Sequence, residues 1–332
     1  MRIALLQYPI AWADKETNLR MAEERIAALA GKADVAVLPE MFATGFCTDH
    51  PELAETMDGE IIRRLQAAAD QSGVAIVSSF ICSPIANTPS PIANTPSPIT
   101  NSAASHSPSG RPIGGTPSHF QAKLRNRGFM IKPSPITNTP SPISNSAASH
   151  SPSGRPIGGT PSNIPSPIAN IPSPIAIQDK RHLYAHGGED LFFQPAEERC
   201  IFEYKGVKIL LLVCYDLRFP VWARNQSGSD YDIILVVANW PDIRIQYWDA
   251  LIAARATENQ CYIAAVNCVG DDGMGLHYNG HSVAYDTRLQ PIVSFADDEE
   301  GTKIAEFDIA KLHHFREVLP LWKDVDHFEL KK

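Results

Sequence analysis

The chain of 332 residues is long enough for one large domain or two small ones. Its hydrophobic content of 44% and charged content of 20% are typical of a soluble globular protein, and no apolar run reaches the length of a membrane span. The net charge of −8 argues against nucleic acid or an anionic membrane as a main partner.

The amino terminus and the cysteines indicate the cellular compartment of the protein. The first residues turn polar too soon for a signal peptide and are more typical of a strand. The six cysteines show no spacing that suggests a disulfide framework or a zinc site. We therefore expect a cytoplasmic protein with reduced thiols.

The first 82 residues alternate between strand and helix patterns. Strands are predicted at 2–8, at 34–40 with Glu40 at its carboxyl end, and at 74–82. A helix is predicted at 15–30, where apolar residues recur at three- and four-residue steps, and another at 61–71. This alternation predicts an α/β layered fold.

The composition changes abruptly at residues 83–177. This stretch holds 19 of the 27 prolines, no acidic residue and six basic ones. A 22-residue unit at 97–118 recurs at 141–162 with one change, from Thr100 to Ser144. The repeats offer only scattered isoleucines among proline, serine, asparagine and threonine, which is too little apolar surface to offset chain entropy.

A fragment of ordinary composition separates the two repeat blocks, and its residues 126–131 are typical of a core strand. We therefore interpret 83–118 and 134–176 as disordered repeat insertions in loops, which cost little extra closure entropy. Without them about 250 residues remain, a comfortable single domain. The whole chain, 1–332, is accordingly predicted to be one domain.

Past the insertions the chain returns to strand and helix patterns. Segments 200–204 and 207–213 flank a hairpin turn signal at Lys205 and Gly206. The glycine-rich stretch 270–275 is expected to be a flexible loop. Two halves of similar size indicate two sheets packed face to face with helices outside. The remaining predicted elements are a helix at 246–260 and strands at 232–238, 261–268, 280–285, 292–295 and 303–307.

One cysteine stands at a chemically distinctive place. The apolar run 209–213 is typical of a strand buried on both faces, and it ends in Cys214, with Pro220 suited to a first helical turn. Unpaired N–H groups at such a junction favour negative charge, so we expect a thiolate to form there more easily than in bulk water. The competing interpretation is an inert core thiol, because free cysteines are often buried.

Three motifs lie at or just beyond predicted strand ends, around Glu40, Lys180 and Cys214. Together, in this order and in these contexts, they resemble the nitrilase superfamily of carbon–nitrogen hydrolases. The resemblance implies an α/β fold built as a four-layer α-β-β-α sandwich, a homodimer, and no metal or organic cofactor. It covers 1–82, 120–133 and 177–325.

The resemblance implies a catalytic triad of Glu40, Lys180 and Cys214, with Glu189 as the second glutamate of the family. Covalent catalysis splits amide hydrolysis into acylation and deacylation, with Cys214 as the nucleophile. Glu40 would carry protons, and Lys180 would stabilise the oxyanion together with the backbone N–H that follows Cys214. Glu189 would orient Lys180 and bind the amide nitrogen. Any of these charged residues alone could be a solvated surface group, and only the combination favours catalysis.

The segments around Lys180 and Cys214 look most like those of omega-amidases. This resemblance implies hydrolysis of the terminal amide of 2-oxoglutaramate or 2-oxosuccinamate to the dicarboxylate and ammonia. Such an anion needs a cation, and Arg218 and Arg244 are candidates, although we expect Arg218 to be held in a structural ion pair. The other residues predicted to bind the substrate are Phe42, Tyr184, Tyr215 and Trp240.

Two alternatives stay open. An N-carbamoyl amino acid amidohydrolase or another aliphatic amidase would differ in the groups that meet the far end of the substrate. A non-catalytic scaffold would use the repeat loops to bind a partner. The insertion 134–176 joins a core strand to the Lys180 loop and could misplace the lysine, and about 1 Å of displacement can cost about 10² in rate. We expect an active enzyme whose ligand is a small-molecule amide.

Overall fold

The computed structural model describes residues 1–84, 123–135, 175–326 and 328–329. The two predicted repeat insertions lie outside these residues except at their ends, so their predicted disorder is not tested. One predicted boundary is wrong. Residues 175 and 176, assigned to the second insertion, begin a strand, because Ile175 pairs with Ile131 of a neighbouring strand.

The described residues form two large sheets, a small ribbon and several helices, and none of these helices is long and apolar enough to cross a membrane. The strands are β1 (Arg2–Gln7), β2 (Val35–Val37), β3 (Ala75–Cys82), β4 (Arg125–Ile131), β5 (Ile175–Asp179), β6 (Ile201–Tyr204), β7 (Val207–Val213), β8 (Ile233–Val237), β9 (Tyr262–Val266), β10 (Val269–Asp271), β11 (His277–Asn279), β12 (Val283–Tyr285), β13 (Pro291–Ser294) and β14 (Gly301–Glu306). The helices are α1 (Lys15–Ala27), α2 (Glu60–Ser72), α3 (Glu189–Phe192), α4 (Pro220–Ala223), α5 (Ile245–Asn259) and α6 (Ile309–Val318).

The two large sheets have matching plans. The first has the strand order β14-β1-β2-β3-β4-β5 and the second β13-β12-β9-β8-β7-β6. Each has three parallel strands at its centre, β1, β2 and β3 in one and β7, β8 and β9 in the other, with antiparallel strands outside. The two strand–helix halves inferred from the sequence are therefore the two sheets and their helices.

The side chains of the sheets alternate between two cores. In β7, Ile209 and Leu211 belong to the core between the sheets, whereas Leu210 and Leu212 pack in the outer core with α5. Leu19 of α1 lies in the corresponding outer core of the first sheet. A strand segment covered on both faces must be apolar, as β7 is from Ile209 to Val213. The layers are helix, sheet, sheet and helix, which confirms the predicted α/β four-layer sandwich.

Close packing between the sheets depends on Gly128 in β4. A Cβ atom added there would lie 2.6 Å from the carbonyl oxygen of Gln178 and 2.7 Å from Cδ2 of Leu211. Both distances are shorter than any ordinary contact of a Cβ atom. Glycine at this position therefore lets β4 approach β5 and the second sheet closely.

The glycine-rich stretch 270–275 is not simply a flexible loop, because it carries the end of β10 and the turn towards β11. Gly273 lies against the indole of Trp12. Two histidines connect the two-stranded ribbon of β10 and β11, and helix α5, to the turn at residues 296–299. His277 lies 2.7 Å from Asp271 and 2.9 Å from Asp298, and His281 lies 3.1 Å from Asp249 and 2.6 Å from Asp297.

These two histidines are expected to make stability depend on pH. Hydrogen bonds to Asp271 and Asp298 raise the pKa of His277 above the ordinary 6.5. Burial lowers the pKa of His281, but hydrogen bonds to Asp249 and Asp297 more than offset it, so that pKa is raised as well. A pKa raised by folding adds stability fully below the unfolded value, and the gain is lost as pH rises through the folded value. Thermal melts from about pH 5 to 8 should show the Tm deficit of a His277→Gln, His281→Gln double variant shrinking as pH rises. A deficit independent of pH would contradict this assignment.

Candidate active site

The ends of several strands meet at one edge of the sandwich. Glu40 follows β2, Lys180 follows β5 and Cys214 follows β7. β2 and β3 run parallel and β4 and β5 alternate in direction, so the carboxyl ends of β2 and β5 point the same way. Glu40, Lys180 and Glu189 have no exposed surface, and Cys214 is 8% exposed. The structure thus brings together all four predicted catalytic residues.

Cys214 occupies a sharp turn. β7 ends at Val213, Cys214 has a φ of 47°, and a 3₁₀ turn over Cys214–Arg218 leads to Pro220 at the start of α4. A positive φ is strained for a residue with a side chain, and such strain is typical of functional sites. The predicted junction of strand and helix is confirmed.

Asp216 connects the cysteine turn to the lysine loop. Its carboxylate accepts hydrogen bonds from the backbone N–H of Val213 at 3.2 Å and of His182 at 2.8 Å. The backbone N–H of Lys180 donates to the carbonyl oxygen of Asn126 at 2.9 Å. Lys180 is therefore anchored on both sides, and the insertion that precedes it has not displaced it from the cluster.

A buried ion cluster lies at the floor of the site. Lys180 Nζ is 2.9 Å from Glu40 Oε1 and 2.8 Å from Glu189 Oε2. Burial lowers the pKa of Lys180, but the charges of Glu189 and Glu40 more than offset it and the pKa is raised. The lysine is therefore charged, which suits its predicted role in stabilising an oxyanion.

Glu189 accepts a hydrogen bond from the backbone as well as from Lys180. Besides the lysine, the backbone N–H of Tyr184 donates to its Oε2 at 2.7 Å. Burial raises the pKa of Glu189, and Lys180 opposes that rise. Its position agrees with the predicted role of orienting Lys180, whereas binding of an amide nitrogen stays a prediction.

The thiol of Cys214 donates a hydrogen bond to the carbonyl oxygen of Asn239 at 3.8 Å, and the Glu40 carboxylate lies close enough to raise the pKa of the thiol. The backbone N–H of Asn239 donates to Glu40 Oε2 at 3.0 Å, and the side-chain amide of Asn239 donates to the Glu40 carbonyl oxygen at 3.0 Å. Burial raises the pKa of Cys214 well above its ordinary value, Glu40 adds to this, and Lys180 opposes it. The expected ready thiolate is therefore wrong, because burial outweighs the short 3₁₀ turn. Attack by a protonated thiol requires a base beside it, and Glu40 is the predicted base.

A cavity of about 350 Å³ opens above this floor. Its volume suits a small molecule. Its lining includes Lys180 and Cys214 together with four of the predicted substrate-binding residues, Tyr184, Tyr215, Arg218 and Trp240.

The prediction for Phe42 is wrong. Met41 has a φ of 45°, which turns the chain, and Phe42 is fully buried in the outer core of the first sheet. Phe46 lines the cavity instead, with its ring centroid 5.3 Å from Lys180 Nζ. The sequence predicted an aromatic residue near Glu40 at the cavity. After the turn, that residue is Phe46 and not Phe42.

The structural ion pair expected for Arg218 is also absent. Within the described part of the chain, no carboxylate lies at ion-pair distance from Arg218 or Arg244. The guanidinium of Arg218 instead lies 4.8 Å from the Trp240 ring centroid and 5.0 Å from that of Tyr247. That of Arg244 lies 5.5 Å from the Tyr184 ring centroid. Aromatic faces hold both cations at the cavity without neutralising them.

Sequence reasoning missed Asn126, whose side-chain amide donates to Glu40 Oε1 at 2.7 Å and to Glu189 Oε1 at 2.9 Å. It also missed the contact of Asn239 with Glu40. Both asparagines lie at the ends of buried strands, and a polar residue at that place was the one available signal. The partners of these side chains come from distant segments, which the local sequence does not show.

The fold and this buried cluster are those of a nitrilase-type hydrolase. A family model described as carbon-nitrogen hydrolase matches residues 2–114 and 163–317. The chain belongs to the carbon–nitrogen hydrolase family.

Known relatives agree with this assignment. The chain is 34% identical over 331 residues to omega-amidase YafV of Escherichia coli (strain K12), covering 99% of this chain and 98% of that protein. It is 36% identical over 146 residues to the 2-oxoglutaramate amidase of Bacillus subtilis (strain 168), covering 44% and 56%. The solved structure of XC1258 from Xanthomonas campestris, a CN-hydrolase superfamily protein with an arsenic adduct in its active site, aligns with a TM-score of 0.74 at 29% identity, covering 100% and 99%. The predicted superfamily, fold and amidase class are confirmed.

Proposed function

We propose that the protein hydrolyses the terminal amide of omega-amido 2-oxo acids, such as 2-oxoglutaramate and 2-oxosuccinamate, to the dicarboxylate and ammonia. The observation that carries the proposal is the pairing of two features in one cavity. Cys214 and Lys180, which is paired with the buried Glu40, line the cavity, and two arginines without carboxylate partners among the described residues line it too. The first suits an amide carbonyl and the second suits a carboxylate at the other end of the substrate. Full-length similarity to an omega-amidase supports the same choice.

Acylation starts from the protonated thiol. Cys214 Sγ forms a bond to the amide carbon while Glu40 takes the thiol proton, and the carbonyl π electrons become an oxyanion beside Lys180. The C–N bond then breaks, and the leaving nitrogen takes the proton from Glu40 and departs as ammonia. A thioester on Cys214 remains.

Deacylation repeats these steps with water. Glu40 takes a proton from the attacking water, whose oxygen forms a bond to the thioester carbon. The C–S bond breaks, the sulfur leaves as a thiolate, and Glu40 returns the proton to it. The permanent charge of Lys180 stabilises the oxyanion in both stages, and removal of such a donor typically costs about 10²–10³ in rate.

The far end of the substrate would be bound by Arg218 and Arg244. A guanidinium can offer a carboxylate two parallel N–H donors. The aromatic faces of Trp240 and Tyr184 hold the two guanidinium groups in place, so less side-chain entropy is lost on binding.

Neutralising these arginines is expected to impair binding rather than chemistry. Arg218→Leu and Arg244→Leu should each raise KM for 2-oxoglutaramate about 10–100-fold, the value of a hydrogen-bonded charge. Hydrolysis of an uncharged aliphatic amide of similar length should change little. Arg288→Leu is the matched control, because Arg288 also lies over an aromatic ring, that of Phe315, but outside the cavity. Equal losses on charged and uncharged amides would contradict a role in carboxylate binding.

A coupled ammonia assay over omega-amides, N-carbamoyl amino acids, simple aliphatic amides and nitriles tests the proposal itself. We expect the highest kcat/KM for 2-oxoglutaramate or 2-oxosuccinamate. Faster hydrolysis of an N-carbamoyl amino acid would replace the proposed substrate and keep the mechanism. Ammonia release from none of these compounds would overturn the function.

A further inference from the structure

Asn126 makes contacts that set it apart from the other polar residues of the sheets. It lies in β4 with no exposed surface, and its single Nδ2 donates to both carboxylates of the cluster, Glu40 Oε1 and Glu189 Oε1. Its Oδ1 is buried and has no hydrogen-bond partner among the described residues. A buried polar atom without a partner costs stability, so the Oδ1 atom is unfavourable for folding while the Nδ2 atom makes two hydrogen bonds.

The orientation of the amide follows from the two carboxylates. If the amide were flipped, Oδ1 would face two carboxylate oxygens and the two charge-assisted bonds would be lost. The backbone of the same residue accepts the N–H of Lys180. Asn126 therefore contacts all three charged members of the cluster without carrying a charge.

The two oxygens of Glu40 have different surroundings as a result. Oε1 accepts from Lys180 Nζ at 2.9 Å and from the Asn126 amide at 2.7 Å. Oε2 accepts only one hydrogen bond from a described backbone or side-chain nitrogen, the N–H of Asn239 at 3.0 Å. Two donors on Oε1, one of them a cation, make that oxygen the poorer proton acceptor.

We propose that Asn126 is a positioning residue that keeps Glu40 Oε1 occupied, so that the proton leaving Cys214 Sγ is transferred to Oε2 and returned from there. This inference rests on the proposed function for its catalytic meaning. Asn126 does not line the cavity and acts through Glu40. The same contacts hold Glu189 at a fixed distance from Glu40, with Lys180 between them.

Two variants test the inference. Asn126→Leu keeps the volume and removes both donated bonds, and Asn126→Ser keeps one donor. We expect kcat on 2-oxoglutaramate to fall about 10²-fold in Asn126→Leu with KM little changed, and to fall less in Asn126→Ser. Losing a donor to an ionised carboxylate favours its protonated form, so the acidic limb of the kcat/KM profile should move to higher pH.

Alkylation of Cys214 by iodoacetamide supplies a readout that needs no amide substrate. Its rate against pH should show an upward shift of the acidic limb that is larger in Asn126→Leu than in Asn126→Ser. Asn225→Leu is the control for packing, because Asn225 is a buried asparagine in another part of the chain whose amide donates to the Tyr231 carbonyl oxygen. Asn225→Leu should lower Tm without shifting the acidic limb of the alkylation profile.

The possible failures are distinguishable. If the wild-type protein releases no ammonia from any amide, the proposed function fails, and the alkylation profiles still decide the role of Asn126. If Asn126→Leu and Asn126→Ser alkylate with the wild-type pH dependence, the positioning role is overturned. Loss of folding in both variants would overturn it too, because the amide would then be needed for the fold itself.

Discussion

Replacing Cys214 with alanine is expected to lower ammonia release by about 10⁶-fold, the loss typical of removing a covalent nucleophile, while the protein stays folded. Cys214 is the only cysteine among the described residues that line the cavity. Glu40 and Lys180 remain in place without it, because their contacts to each other, to Asn239 and to Asn126 do not involve the thiol. Binding and oxyanion stabilisation survive, but nothing is left to form the thioester.

The measurement combines kinetics with mass spectrometry. Wild-type protein quenched with acid during turnover should carry the mass of an acyl group, and Cys214→Ala should not. Cys261→Ala is the control, because Cys261 is a buried thiol of the outer core beneath α5 and not of the cavity. Substantial turnover by Cys214→Ala would exclude the covalent mechanism and leave direct attack by water, with Glu40 as its base.

Structural elements that depend only on neighbouring residues were predictable from the sequence. β7 is apolar from Ile209 to Val213 because both faces of that segment are covered, and the hairpin before it turns at Lys205 and Gly206, which have φ values of 51° and 74°. α2 ends at Gly73 with a φ of 70°. Each of these features depends on a few neighbouring residues, so the pattern in the sequence and the cause in the structure coincide.

Features set by distant contacts were not predictable. β5 begins in residues whose composition continues that of the repeats, and only its pairing with β4 marks it as a strand. Arg218 was expected in an ion pair, but its surroundings are set by Tyr215, Trp240 and Tyr247, which three different segments supply. α6 was missed as well.

The candidate site shows the same division. Glu40, Lys180, Glu189 and Cys214 were predicted as a group from motifs, and the structure brings the four together. The raised pKa of Cys214 was not foreseen, since it depends on burial in the folded protein and on Glu40, which is distant in the sequence. Asn126 was missed for the same reason, because its importance comes entirely from the two carboxylates that it contacts.

Lys180→Met is expected to have the second-largest effect, because the lysine serves both the reaction and the fold. Its removal takes away the cation beside the oxyanion, which typically costs about 10²–10³ in kcat. It also leaves Glu40 and Glu189 fully buried without a counter-charge, and breaking a buried ion pair on one side typically costs about 3–5 kcal/mol of stability. Urea unfolding at neutral pH measures the second effect and steady-state kinetics the first.

The pH dependence of that variant separates charge from packing. Burial already raises the pKa of Glu189 and Lys180 opposes the rise, so removing the lysine should raise it further. A carboxyl whose folded pKa exceeds its unfolded value is most stabilising below the unfolded value, so Lys180→Met should regain stability as pH falls towards about 5. A lost packing contact would give a deficit that does not change with pH.

A second substitution tells the two roles of the lysine apart. In Lys180→Met, Glu189→Gln one of the unpaired carboxylates is removed, so stability at neutral pH should recover in large part. Activity should not recover, because the oxyanion still lacks its cation and Glu40 Oε1 still lacks one of its two donors. If the double variant regained activity along with stability, Lys180 would be a structural counter-ion and oxyanion stabilisation would have to come from backbone donors. If it regained neither, the destabilisation would arise from packing around the lysine stem.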